Sequence, residues 1–118
     1  MEYKIIFTNG CSKEFDEMSY LRGYNSEVLI LDENDRYYYI NFLTIERLQM
    51  EFTKDDKCYL EDNLVILREI NKESVLNSIT ELHKWMFYKR WLPMSKPALN
   101  YFYPKDEKWE ILTIHVND

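Results

Sequence analysis

Two histidines, His83 and His115, and two cysteines, Cys11 and Cys58, are the side chains of this sequence best suited to nucleophilic or metal chemistry. A nucleophile needs a serine or cysteine beside a histidine that a carboxylate orients, and no local motif supplies that arrangement. His83 follows Leu82 in a helical pattern and His115 precedes Val116 in an alternating one, where boundary or surface residues ordinarily sit. Metal binding has no better footing. No HxxxH, CxxC or EF-hand spacing is present, and the acid pairs Asp55–Asp56 and Glu61–Asp62 lack the turn glycine of a calcium loop. Gly10 and Gly23 are too few for a phosphate-cradling loop. The expectation is a chain with no catalytic residue, no metal and no cofactor.

Two other stretches have chemistry suited to contact. "DENDRYYYINF", residues 32 to 42, runs from acids into three consecutive tyrosines. In a strand, Tyr38, Ile40 and Phe42 point one way and form a core face, while Tyr37, Tyr39 and Asn41 point the other way. Exposed tyrosines pair across a sheet. They are also frequent hot spots of protein contacts, because each offers a rigid face and a hydroxyl at low entropy cost. "HKWMFYKRW", residues 83 to 91, interleaves Lys84, Lys89 and Arg90 with aromatic residues, a pattern of nucleic-acid contact. Cations at a helix C-terminus are expected from the helix dipole alone, and the chain is acidic overall, so nucleic acid is disfavoured as a partner.

The elements that must position these residues can be read from turns, caps and periodicity. Tyr3 to Thr8 reads as a strand closed by the Asn9–Gly10 turn, and residues 11 to 25 have no firm period. Glu27–Leu31 and Arg36–Phe42 flank Asp32-Glu33-Asn34-Asp35 as a hairpin. Thr44 then caps a short helix ending near Phe52 or Thr53, with Leu43 and Leu48 spaced as a hydrophobic staple. Lys57–Leu60 and Leu64–Ile70 read as strands around Asp62–Asn63. Asn71 caps the longest helix, which places Val75, Ile79, Leu82 and Met86 on one face and runs to about Tyr88. Pro97 and Pro104 allow at most a short edge strand between them, and Trp109–Val116 alternates as a terminal strand. The expected fold is a single α+β domain over residues 1–118, a mainly antiparallel sheet carrying one long and one short helix.

At 118 residues, with 46% apolar and 31% charged side chains, the chain can bury a sufficient core without metal or disulfide. Ile5-Ile6-Phe7 is far short of a signal-peptide apolar region, and Val28-Leu29-Ile30-Leu31 is far too short to span a bilayer. A cytoplasmic protein whose two thiols are buried or idle is expected, with no membrane association. The net charge of −6 is unevenly placed: residues 27 to 62 hold ten acids against four bases, and the flanking segments nearly balance. Asp32, Glu33, Asp35, Tyr37 and Tyr39, with Asp55, Asp56, Glu61 and Asp62, are therefore the candidate contact residues for a basic protein.

A small, acidic, stand-alone α+β domain without catalytic apparatus resembles the immunity proteins that bacteria make against secreted toxins. The resemblance is one of overall character across the whole chain rather than of a motif. It implies a non-catalytic inhibitor that covers the phosphate-binding surface of a cognate, basic, nuclease-like toxin. Two other classes fit the same composition. One is a small enzyme or ligand-binding protein with a pocket among Tyr101, Tyr103 and Trp109; the other is a subunit of a larger assembly.

Overall fold

The computed structural model describes residues 1–52 and 57–117. In chain order the elements are β1 (Glu2–Phe7), α1 (Lys13–Arg22), β2 (Tyr24–Leu31), β3 (Tyr37–Thr44), α2 (Ile45–Glu51), β4 (Leu64–Leu67), α3 (Lys72–Lys84), α4 (Phe87–Arg90), α5 (Lys96–Phe102) and β5 (Glu110–His115). The fold is α+β. Its strands lie in the order β4-β3-β2-β1-β5. The β1–β2, β1–β5 and β2–β3 pairs are antiparallel, while β3–β4 is parallel, so the sheet is mixed. No helix is long and apolar enough to cross a membrane among the described residues.

Alternation decides which face each strand residue serves. Tyr3, Ile5, Phe7, Val28, Ile30, Tyr38, Ile40 and Phe42 are buried on one face. Against them pack Phe15 of α1, Val75, Ile79 and Leu82 of α3, and Phe87 of α4. Tyr38 therefore belongs to the core, with its ring edge-on to Phe87 at 5.1 Å. Its hydroxyl is buried with no hydrogen-bond partner among the described residues. His83 is buried as well, not at a boundary, and shares a 2.7 Å hydrogen bond between its Nδ1 and the Tyr3 hydroxyl.

Both capped helices start where expected. The Thr44 hydroxyl accepts from Arg47 N at 3.1 Å. Asn71 Oδ1 accepts from Ser74 N while Ser74 Oγ accepts from Asn71 N, a reciprocal pair that satisfies two free amide donors. The long helix stops at Lys84 instead of Tyr88, because Met86 takes the left-handed conformation (φ 60) and turns the chain into α4. Met86 is thereby left exposed.

Three further differences matter for the site. Residues 13 to 22 form a helix that ends on Gly23 (φ 70), whose amide donates to Ser19 O. Residues 57 to 60 make no strand, and β4 covers only Leu64–Leu67. The segment bracketed by prolines is a helix, not an edge strand: Ser95 caps it, and Pro97 sits in the first turn, where its missing N–H costs nothing. Among the described residues five helices thus replace the two expected.

Candidate functional site

Tyr39 and Asn41 project from the sheet face opposite the main core. That face was expected to be open. The chain after Trp91 instead crosses it, with Met94 N donating to Tyr37 O at 2.8 Å and the Tyr103 hydroxyl donating to Ser26 O at 2.7 Å. Tyr37 and Tyr39 are consequently half-buried. Between the sheet and this crossing lies a groove of about 820 Å³, walled by Tyr39, Asn41, Glu27, Asp62, Trp91, Phe102 and Tyr103 among others.

Each wall has a local cause. The β2–β3 register shifts between Asn25 and Val28, and this irregularity brings both Ser26 and Glu27 to the groove. Asn63, at φ 53, lets the chain turn into β4, and its Nδ2 donates to Tyr39 O while Asn41 N donates to Asn63 O. Asn41 Nδ2 donates to Asp62 O at 2.8 Å, which pins the acidic loop beside β3. The Tyr39 hydroxyl reaches Asp62 Oδ2 at 3.4 Å.

The electrostatics keep the tyrosines as neutral donors. Burial pushes the Tyr39 hydroxyl up from its ordinary pKa, and the Asp62 carboxylate adds to the effect. Burial does the same to Tyr103, helped by Tyr39 and Glu27. Among the described residues neither Glu27 nor Asp62 is in an ion pair. Arg90 also lines the groove, but its guanidinium lies over the Trp85 ring at 4.5 Å with Nε donating to Trp85 O. Leu92 and Phe102 at the rim are 84% and 66% exposed, and Tyr101 beside Phe102 is exposed too.

The other candidate contact residues are dispersed. Asp32 is not a free surface acid: its carboxylate is 3% exposed and accepts from Asn34 N, Arg36 N and Arg36 Nε, closing the β2–β3 turn. Glu33 and Asp35 stand exposed on that turn. Glu61 is exposed and accepts from the Tyr59 hydroxyl, which that bond raises to about 12. Asp55 and Asp56 lie outside the described residues. Of the aromatic trio Tyr101, Tyr103 and Trp109, only Tyr103 reaches the groove.

The residues with nucleophilic or metal-binding chemistry do not converge. Cys11 is buried with its thiol donating to Glu110, and burial together with that carboxylate raises it to about 11, so it is no nucleophile at neutral pH. Cys58 is exposed, and both thiols are free. His115 meets Glu2 at the surface. No cluster of metal-ligating side chains occurs among the described residues. Set against known proteins, the chain matches no family model, no curated protein and no solved structure.

Proposed function

We propose that this chain is a non-catalytic protein-binding domain that seats a basic protein on its grooved face, in the manner of an immunity protein neutralising a nuclease-like toxin. The observation that carries the reading is convergence. The acidic middle third, through Glu27, Asp62 and Tyr39, meets the apolar rim of the 90–103 segment at one concavity. Interfaces hold through aromatic anchors in a desolvated centre, and complementary charge raises the association rate. Phe102, Leu92 and Tyr39 are suited to the first task, and the surrounding acids to the second. A partner recovered from the native host should lose about 30-fold in affinity with Phe102→Ala or Tyr39→Ala, the equivalent of about 2 kcal/mol at a hot spot. Phe102 is mostly exposed, so its variant separates contact from folding. Unchanged affinity for both variants would count against the reading, as would recovery of small molecules alone.

One observation favours a second reading, a small-molecule site. The groove volume of about 820 Å³ falls within the range of ligand pockets, roughly 300–1,000 Å³. A compound that raised the melting temperature in a saturable manner and was displaced by Tyr103→Ala would favour it over the protein contact.

A further inference from the structure

We infer that the groove receives an extended, arginine-bearing segment of the partner, with a guanidinium seated between the tyrosines and the carboxylates of Glu27 and Asp62. This rests on the protein-binding reading and specifies its chemistry. Glu27 is half-buried, and neither it nor Asp62 has a counter-ion among the described residues. Covering the groove with an apolar or neutral surface would strip water from both carboxylates and leave Asp62 only the Tyr39 hydroxyl as a donor among the described residues, which is unfavourable for an ion without a counter-charge. A covering surface that brings a cation offsets that cost, since the wall's own Arg90 is held over Trp85.

Arginine suits the walls better than lysine. A guanidinium is planar, presents a fork to carboxylates and stacks on aromatic rings. The fold stacks two of its own in this way, Arg47 over Tyr24 at 5.0 Å and Arg90 over Trp85 at 4.5 Å. Tyr39, Tyr103 and Trp91 offer the same kind of surface inside the groove.

The concavity continues beyond the space one side chain would fill. Ser26 and Asn41 also wall a neighbouring depression of about 280 Å³ that contains Tyr59 and Glu61. The two depressions share Ser26 of β2 and Asn41 of β3 as a common wall, which an extended chain could follow from one to the other. Asn41 Nδ2 is committed to Asp62 O, which leaves its carbonyl oxygen as an acceptor for a passing backbone N–H.

The test is a titration of the labelled chain with a short peptide of alternating glycine and arginine, followed by amide and indole NMR shifts. Saturable shifts should centre on Tyr39, Asn41 and the Trp91 indole, and the glutamate analogue should give none. The double variant Glu27→Gln/Asp62→Asn should weaken binding about tenfold or more, which is about 1.4 kcal/mol. Shifts scattered over the acidic surface, or equal affinity in the double variant, would overturn the inference. Free arginine amide binding as tightly as the peptide would assign the site to a small cation and overturn it too. If the peptide fails while the partner still responds to Phe102→Ala, this inference falls alone; if that response is also missing, the functional reading falls with it.

Discussion

Replacing Asp32 tests whether this acid holds the turn or faces a partner. Its side chain is 3% exposed, and its two oxygens accept from Asn34 N at 2.9 Å, Arg36 N at 3.0 Å and Arg36 Nε at 2.9 Å. Hydrogen bonds to a charged acceptor contribute roughly 1.5–3 kcal/mol each when buried, and less where water can replace them. Arg36 is 43% exposed and rehydrates when released, so its ion pair adds little. The two backbone amides carry most of the rest. Asp32→Ala should therefore cost about 2–3 kcal/mol, and Asp32→Asn, which keeps the oxygen both amides use, about 1 kcal/mol. For a chain of this length 1 kcal/mol corresponds to about 4 °C in Tm, so the alanine variant should melt about 8–12 °C lower. Calorimetry and urea unfolding would measure both. An alanine variant within about 2 °C of the wild type, or one no worse than the asparagine variant, would refute the assignment.

Three further perturbations follow from single contacts. Gly23→Ala should destabilise by about 2 kcal/mol or more in urea unfolding, since φ is 70 and an added Cβ would meet Arg47 Cβ at 2.9 Å. Tyr38→Phe should leave stability unchanged or raise it by about 1 kcal/mol, because it removes a buried hydroxyl with no hydrogen-bond partner among the described residues; a loss above about 1 kcal/mol would reveal a bound water there. Cys11 is raised from 9.0 to about 11, so the folded state holds the thiol proton more tightly than the unfolded chain. Its contribution is complete below about pH 9 and is lost as pH rises towards 11. The stability–pH slope in that window should be shallower for Cys11→Ala, and a thiol reagent at pH 8 should modify Cys58 well before Cys11.

Local signals were legible where one interaction dominates. The Thr44 and Asn71 caps, the turn after Leu31, and the spacing of Val75, Ile79 and Leu82 each identify their element without help from the rest of the chain. Helix α1 escaped notice because only Phe15 and Ser19 are buried in it, which leaves no apolar period to read. Helix α5 was hidden by Pro97, which reads as a breaker unless Ser95 is recognised as the cap before it. The parallel β3–β4 pairing contradicts the nearby hairpin that Asp62–Asn63 invites, since Asn41 pairs with Leu64 across the whole α2 crossover. The groove was legible only in part. Tyr39 and Asp62 stand out by type, whereas Ser26, Glu27 and the 91–103 wall are assembled by tertiary contacts between segments distant in sequence.

Whether a protein partner sits on the grooved face can be measured by amide hydrogen exchange of the chain with and without that partner. Binding should protect the amides around Tyr39 and Asn41 and those of residues 91–103, with little change in α1 and α2. Protection confined instead to the exposed apolar residues Tyr20, Leu21 and Met50 on α1 and α2, with the groove unchanged, would contradict it.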